Sequence, residues 1–189
     1  MSKQSLNGKV VLIAGGAKNL GGLVARDLAA NGAAAVVVHY NSDATRAAAE
    51  ETLQAVKAAG AEAIAVQGDL TQPANVALLF EEAGKAFGKV DIAINTAGLV
   101  IKKPIAEVTE ADYDSSFDIN AKAAFFFIQQ AGKHLADNGR IVTIVSSLLA
   151  AYTPFYAVYP GSKAPLGHVT RAASEEFGER GVCVNAIGR

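Results

Sequence analysis

A tyrosine and a lysine lie four residues apart in the segment Tyr159-Pro160-Gly161-Ser162-Lys163. If this segment is helical, the two side chains share one face of the helix. Proline is acceptable in a helix only in the first turn, so Pro160 predicts that Tyr159 lies at the helix start. An ammonium close to a phenol favours the phenolate and lowers the tyrosine pKa. The pair could therefore exchange a proton with a carbonyl or alcohol oxygen near neutral pH.

Two further polar residues could take part in the same proton transfer. Ser146 ends an apolar run and precedes Tyr159 by thirteen residues, so its hydroxyl could hydrogen-bond the substrate oxygen. Ser147 is adjacent and could exchange roles with it, although we favour Ser146. Asn120 lies inside a helical pattern, where asparagine is unfavourable. It either holds a water that continues the proton relay or is an exposed helix residue.

A glycine-rich turn leads from the first apolar run into an Ala/Leu-rich helical pattern, and its sequence is Ala14-Gly15-Gly16-Ala17-Lys18-Asn19-Leu20-Gly21-Gly22. A turn of this kind aims the free amides of a helix N-terminus at a phosphate, and the helix dipole adds to the attraction. Gly15 would permit the tight turn, and either Gly21 or Gly22 would let the helix pack closely on the sheet. The alternative is a plain strand-to-helix connection that binds nothing.

The residues after the second apolar run indicate which dinucleotide such a turn would bind. Tyr40, Asn41 and Ser42 follow this run, with no carboxylate before Asp43. An acidic residue about 20 residues past the turn would hydrogen-bond the ribose 2′-hydroxyl of NAD. Its absence, together with Lys18 in the turn, favours NADP(H) over NAD(H), because a lysine can pair with the extra phosphate. Lys18 could also be a solvated surface lysine.

Polar and small residues also follow the third and fourth apolar runs. Asp69 precedes Leu70 and either accepts a hydrogen bond from an adenine amino group or caps the helix that begins near residue 73. The fourth run ends in Asn95, followed by Thr96-Ala97-Gly98. Small residues suit a backbone that lies against a bound cofactor. The alternative for Asn95 is a turn residue that only ends its strand.

Six apolar runs alternate with helical patterns, and this alternation predicts the elements that position these residues. The predicted strands are 9–14, 34–39, 62–67, 90–95, 140–146 and 181–186, and the predicted helices are 20–31, 43–59, 73–87, a segment within 109–137, and 159–179. The runs are apolar throughout, which is typical of parallel strands covered by helices on both faces. We therefore expect one α/β domain over residues 1–189, a Rossmann-type doubly wound parallel sheet in three α/β/α layers.

Composition excludes several classes of protein. The formal net charge of −1 gives no basic field for nucleic acid. The single cysteine, Cys183, offers no disulfide and no metal cluster, and its apolar surroundings predict a buried core thiol. The first eight residues lack the apolar segment of a signal peptide, and no run of about 18 apolar residues could span a membrane. We expect a cytoplasmic protein without metal, nucleic-acid or membrane partners.

In order and spacing, the glycine turn, Asn95-Thr96-Ala97-Gly98, Asn120, Ser146 and Tyr159…Lys163 resemble the short-chain dehydrogenase/reductase family, over residues 8–185. The resemblance implies strand order 3-2-1-4-5-6-7 and NAD(P)(H) across the crevice of the sheet. It also implies oxidoreductase activity on CH–OH or C=O groups of a small molecule, in a homodimer or homotetramer. Tyr159 would be the acid/base, Lys163 would bind the nicotinamide ribose, Ser146 would position the substrate and Asn120 would complete the relay.

Together, these inferences give a set of expected cofactor contacts: Gly15, Lys18, Asn19, Leu20, Gly21, Tyr40, Asn41, Ser42, Asp69, Leu70, Asn95, Ala97, Gly98, Tyr159 and Lys163. The sequence departs from the family pattern in this set. Ala14 replaces a threonine, Asn19 the middle glycine of the turn, and Thr96 an asparagine. Because asparagine tolerates a left-handed backbone, we expect the turn to survive.

The sequence ends at Arg189, before the substrate-covering loop and last strand that the resemblance implies. We expect six strands, with the seventh and the loop missing from this domain. Two alternatives to an active enzyme stay open: a non-catalytic protein that senses the cofactor, and an inactive truncated fragment. The family acts on many carbonyl and alcohol substrates, so the residues do not identify this one.

Overall fold

A computed structural model describes residues 6–189; the first five residues of the segment considered for a signal peptide lie outside it. Six parallel strands form one sheet in the order β3-β2-β1-β4-β5-β6. They are β1 (Val10–Ala14), β2 (Ala35–Tyr40), β3 (Glu62–Gln67), β4 (Val90–Asn95), β5 (Leu135–Val145) and β6 (Cys183–Gly188). The prediction of a doubly wound parallel sheet with six strands is confirmed.

Helices cover both faces of the sheet: α1 (Asn19–Ala30), α2 (Arg46–Ala58), α3 (Pro73–Phe87), α4 (Glu110–Phe117), α5 (Ala123–His134), α6 (Val158–Lys163) and α7 (Pro165–Glu176). Helices α1 and α2 pack together, as do α3 with α5 and α5 with α7, giving the three predicted layers. Val36, Val37 and Val38 in β2 are fully buried. A valine hidden in this way stabilises the fold by about 1.5–3 kcal/mol, so unbroken apolar strands fix the centre of the domain.

Two of the long predicted helices are interrupted. The helix expected within 109–137 begins after Thr109, whose hydroxyl accepts from the backbone N–H of Asp112, and a π-helical turn (Asp118–Lys122) separates α4 from α5. The helix expected over 159–179 divides into α6 and α7 and ends at Glu176. Pro165 begins α7 because it has no N–H to continue the hydrogen bonding of α6.

The prediction that Cys183 is a buried core thiol is wrong, because its side chain is exposed. Val182 and Val184 on either side of it are buried, 2% and 6% exposed. Successive side chains of a strand point to opposite faces of the sheet. Helix α7 packs against β6, which lies at the sheet edge among the described residues, and the face that carries Cys183 is left open.

Within residues 6–189, no helix combines the length and apolar character that crossing a membrane requires. The same residues contain no group of three or more histidine, cysteine, aspartate or glutamate side chains arranged to hold a metal ion. The sheet order reverses between β1 and β4, where the connections from the two strands leave toward opposite faces. Ligands of doubly wound sheets bind beyond the carboxyl ends of the strands at such a point.

Candidate active site

A cavity of about 940 Å³ opens at this reversal, beyond the carboxyl ends of the strands. Its volume lies within the range of small-molecule and cofactor sites. Most of the predicted cofactor contacts line it: Gly15, Lys18, Asn19, Leu20, Gly21, Tyr40, Asn41, Asp69, Leu70, Ala97, Gly98, Tyr159 and Lys163. Four of the predicted site residues do not line the cavity: Ser42, Asn95, Asn120 and Ser146. They could act on a ligand through the residues that they contact, or at the edge of the cavity.

The glycine turn brings backbone atoms closer together than a side chain would permit. Gly15 has φ +74°, and a Cβ added to Gly21 would lie 2.2 Å from the carbonyl oxygen of Gly15. Of the two glycines considered for close packing, Gly21 is therefore the more restrictive, since a Cβ on Gly22 would meet its nearest neighbour at 3.2 Å. Asn19 has φ 51°, the left-handed conformation expected of the residue that replaces the middle glycine.

Two side chains missed by the sequence analysis hold the backbone of this turn. The Gly15 N–H donates to Nδ1 of His39 at 3.1 Å. The Thr96 hydroxyl donates to the carbonyl oxygens of Ala14 at 2.8 Å and Gly15 at 3.2 Å. Two of the three departures from the family pattern thus meet in one contact: Ala14 has no hydroxyl, and Thr96, directly after β4, supplies one to the same junction.

Two further predicted cofactor contacts, Asp69 and Asn95, lie at the turns after β3 and β4. The Asp69 carboxylate accepts from the N–H and hydroxyl of Thr71 at 3.0 and 2.9 Å. Gln72 is the N-cap residue of α3, so the alternative that Asp69 caps this helix is wrong. Asn95 is 2% exposed, and its side-chain oxygen accepts from the N–H of Ala97 at 3.0 Å. This contact fixes the turn after β4 and presents Ala97 to the cavity.

Lys163 is a buried cation at the base of the cavity, only 3% exposed. Its Nζ donates to the carbonyl oxygen of Ile144 at 3.0 Å and to that of Ala97 at 3.5 Å. Burial lowers the pKa of this ammonium from its ordinary 10.5 to about 8. Tyr159, four residues earlier on α6, is half-buried and lines the same cavity.

Asn120 lies in the π-helical turn and is completely buried, so the alternative of an exposed helix residue is wrong. Its side-chain oxygen accepts from the N–H of Leu99 at 3.0 Å, and its nitrogen donates to the Leu99 carbonyl at 2.8 Å. A Cβ on Gly98 would lie 2.9 Å from the Asn120 oxygen and 3.2 Å from Nζ of Lys163. Only glycine leaves room for these two polar groups to approach the loop after β4 together.

Two buried serines connect Asn120 to the helix that carries Tyr159. The hydroxyls of Ser116 on α4 and Ser162 on α6 lie 3.0 Å apart. The Asn120 side-chain nitrogen donates to Ser116 at 3.2 Å and to Ser162 at 3.0 Å. The Ser162 hydroxyl also donates to the Tyr159 carbonyl oxygen at 2.8 Å. We call Ser116, Asn120 and Ser162 the serine–asparagine cluster, and it holds α4, the π-helical turn and α6 in register.

The two candidate serines at the end of β5 differ in burial. Ser146 is 4% exposed, and its hydroxyl accepts from the N–H of Leu148 at 3.2 Å. Ser147 is exposed, and its backbone N–H donates to the carbonyl oxygen of Arg189 at 2.9 Å. An ordered, buried hydroxyl is the better candidate for positioning a substrate oxygen, so the preference for Ser146 stays a prediction with this geometric support.

The family model for short chain dehydrogenases matches residues 9–188. Hydroxynaphthalene reductase-like protein Arp2 of Metarhizium brunneum is 41% identical over 186 residues, which are 97% of this chain and 68% of that protein. A Burkholderia cenocepacia protein, described as a dehydrogenase and solved with bound NADP, has a TM-score of 0.96 at 62% identity; the match covers 100% of this chain and 71% of that one. A blue fluorescent protein from a metagenomic library, solved with NADPH, has a TM-score of 0.92 at 36% identity and is matched over 98% of this chain and 75% of its own.

Sheet order, glycine turn and the pair on α6 agree with these relationships, and the identity to several relatives is spread over almost all of the chain. The chain belongs to the short-chain dehydrogenase/reductase family and is an NAD(P)-dependent oxidoreductase.

Proposed function

We propose that the protein transfers a hydride between NADP(H) and a carbonyl or alcohol substrate, with Tyr159 as the general acid/base. The observation that carries this proposal is the position of Tyr159 and the buried cation Lys163 on one helix, four residues apart, both lining the cavity at the reversal of the sheet. A charged ammonium is costly to bury, so a lysine kept there without an acidic partner is typical of a functional site.

The chain's residues fit a dinucleotide cofactor. Gly15 before α1 and Gly21 in the first turn of α1 have no room for side chains, and the free amides and the helix dipole at the N-terminus of α1 favour a phosphate. When bound, the nicotinamide would supply or accept the hydride. Lys163 would hold its ribose, and Gly98 and Ala97 would leave space beside it.

The protein's own contribution is the movement of one proton. In reduction, the Tyr159 hydroxyl gives its proton to the substrate oxygen as the carbonyl carbon gains a hydride; in oxidation, the phenolate takes the proton back. The Lys163 ammonium stabilises the phenolate, and the Ser146 hydroxyl orients the substrate oxygen. Asn120 does not line the cavity, and it acts through its hydrogen bonds to Leu99 and to Ser162. It would order the water that continues the relay.

The test of Tyr159 is NADPH oxidation with a panel of ketones, compared between wild type and Tyr159→Phe. We expect the rate to fall by about 10²–10⁴-fold, the usual contribution of a general acid. Tyr113→Phe is the matched control, since Tyr113 lies on α4 outside the cavity and its ring still stacks on Phe117. Equal rates for Tyr159→Phe and wild type would remove Tyr159 from the reaction.

The preference for NADP(H) rests on the charges around the end of β2. Lys18 is exposed at the cavity wall, and the Asp43 carboxylate, which does not line the cavity, is paired with Arg46 at 2.7 Å. Asn41 and Ser42 would complete the site for the 2′-phosphate. Titration of NADPH and NADH should show tighter NADPH binding, reduced in Lys18→Ala and not in Lys133→Ala, a lysine outside the cavity. Tighter binding of NADH by wild type would overturn the preference.

NADPH oxidation and cofactor titration also distinguish the enzyme from the two alternatives, a cofactor-sensing protein and an inactive fragment. A protein that only senses the cofactor would bind NADPH and turn over no ketone, and an inactive fragment would do neither. A cytoplasmic homodimer or homotetramer is the assembly that we propose, and light scattering with chromatography would measure its mass. Phe125, 45% exposed on α5, is a side chain that subunit contact would cover.

A further inference from the structure

His39 is a buried imidazole that the proposed reaction does not use. It lies near the carboxyl end of β2, lines the cavity, and is 3% exposed. Its two ring nitrogens contact two different turns: Nδ1 lies 3.1 Å from the N–H of Gly15, and Nε2 lies 2.7 Å from the carbonyl oxygen of Gly68. The ring therefore connects the glycine turn after β1 with the turn after β3.

These partners fix the protonation state of the ring. A carbonyl oxygen only accepts, so Nε2 must carry the hydrogen that bonds Gly68. A backbone N–H only donates, so Nδ1 must offer Gly15 a lone pair. Both bonds exist together only in the neutral Nε2–H tautomer. A proton on Nδ1 would set two N–H groups against each other at 3.1 Å.

The Gly15 peptide has little freedom to move away from such a clash. The N–H of Gly15 belongs to the Ala14–Gly15 peptide unit, whose carbonyl oxygen, that of Ala14, accepts from the N–H of Thr96 at 2.9 Å and from its hydroxyl at 2.8 Å. The next carbonyl oxygen, that of Gly15, would lie 2.2 Å from a Cβ added to Gly21 at the start of α1. The amide side of Gly15 is held by His39. Losing that bond would change the turn that presents the α1 amides to the cavity.

We propose that neutral His39 is a positioning residue for the glycine turn, and that protonation of its imidazole weakens binding of the dinucleotide cofactor. This inference rests on the cofactor site described under the proposed function. It adds a pH-dependent control of binding that resides in a side chain outside the proton relay of Tyr159 and Lys163.

The charged groups around His39 set the pH range of this effect. Burial lowers its pKa below the ordinary 6.5, outweighing the opposing effects of the Gly68 bond and of the Asp69 charge from the turn after β3. From the glycine turn Lys18 faces the same cavity, and after β2 the charges of Asp43 and Arg46 are paired with each other. Protonation, and with it the loss of binding, therefore falls below pH 6.5.

The test is the dissociation constant of NADH and NADPH from pH 5 to pH 8 for wild type and His39→Asn. An asparagine places an oxygen at the δ position, where it can accept from Gly15 without titrating. NADH is the decisive probe because it lacks the 2′-phosphate of NADPH, and a phosphate monoester has its own pKa of about 6. Wild type should lose affinity about tenfold for each pH unit below the imidazole pKa, as the neutral fraction falls, and His39→Asn should stay flat.

Each failure has a distinct result. If neither cofactor binds wild type at pH 8, the proposed function fails and this inference with it. If cofactor binds and the ratio of wild-type to His39→Asn dissociation constants is constant over the pH range, the inference alone is overturned.

A second measurement covers the case in which His39→Asn does not fold. NMR titration of the His39 imidazole in wild type, with and without NADH, should show a lower pKa in the complex, because binding and protonation oppose each other. An unchanged His39 pKa would overturn the inference.

Discussion

The glycine turn and the face built by α6 hold their functional groups in different ways. In the turn, the groups offered to the ligand are backbone amides, and that backbone is held by the side chains of His39 in β2 and of Thr96 directly after β4. On the α6 face, the groups offered are side chains. The buried side chains of the serine–asparagine cluster hold α6, and the backbone carbonyl oxygens of Ile144 and Ala97 hold the Lys163 ammonium.

Because the two regions are held differently, substitutions in one should change cofactor binding and substitutions in the other should change the catalytic rate. A side-chain atom added to a glycine of the turn must move the neighbouring backbone, so substitutions there should lower the affinity for the cofactor. Removal of a hydroxyl or amide behind the α6 face leaves the backbone in place and disturbs the position of the reacting groups. Substitutions there should act on the rate of the bound complex.

The largest effect on cofactor binding is expected for Gly21→Ala. The new Cβ would lie 2.2 Å from the Gly15 carbonyl oxygen and 2.6 Å from the Thr96 hydroxyl, so the turn must shift. Overpacking of this kind costs about 1–3 kcal/mol or more, which corresponds to up to about 100-fold in the dissociation constant of NADPH. Calorimetry of NADPH binding measures it.

Gly84→Ala, in the last turn of α3, is the matched control, because its Cβ would meet no atom within 4 Å. It should bind NADPH like wild type and unfold at a slightly higher temperature, since alanine favours helix over glycine by about 1 kcal/mol. Equal affinity of Gly21→Ala and wild type would break the account of the turn.

A second effect concerns the buried charge on the α6 face. Because the pKa of Lys163 is lowered to about 8, between pH 8 and pH 10 the unfolded chain binds a proton that the folded chain has released. Stability of wild type relative to Lys163→Met should therefore rise with pH in this window, by up to about 1.4 kcal/mol per pH unit. Urea unfolding at several pH values measures the difference.

Lys133, exposed on α5, provides the control for that titration. The difference between wild type and Lys133→Met should stay constant from pH 8 to pH 10. If the difference in unfolding free energy between wild type and Lys163→Met is also constant from pH 8 to pH 10, burial of the Lys163 ammonium does not destabilise the folded protein.

The smallest of the three effects is expected for Ser162→Ala. Removing this hydroxyl takes one partner from Ser116, from Asn120 and from the Tyr159 carbonyl. Because Ser116 and Asn120 remain bonded to each other, the net cost is about 0.5–1.5 kcal/mol. We expect kcat to fall while the dissociation constant of NADPH is unchanged. Ser174→Ala on α7, outside the cluster, should leave kcat unchanged. A loss of NADPH affinity without loss of kcat in Ser162→Ala would contradict the division between the two regions.

The sequence predicted the elements whose pattern is local. Strands β3 and β4 and helix α3 match the predicted bounds, because apolar runs and the residues at their ends mark them. The position of Asn19 in the left-handed region was also predictable, from one replaced glycine. Pro165 is a local signal for the break between α6 and α7, because proline is favoured in the first turn of a helix.

The contacts between distant residues could not be predicted in the same way. His39 and Gly15 are 24 positions apart, and Asn120 and Ser162 are 42 apart, so no local spacing encodes either hydrogen bond. The burial of Asn120 and the exposure of Cys183 depend on which face of an element a neighbour covers. A run of apolar residues predicts a strand, but it does not predict whether helices cover one face of that strand or both.

The most direct test of the division between binding and turnover compares Gly21→Ala with Tyr159→Phe in one pair of measurements, NADPH affinity and the single-turnover rate of hydride transfer to a ketone. We predict that Gly21→Ala loses affinity, whereas Tyr159→Phe binds NADPH like wild type and transfers hydride about 10²–10⁴-fold more slowly. Hydride transfer by Tyr159→Phe at the wild-type rate, from a fully bound cofactor, would contradict the account.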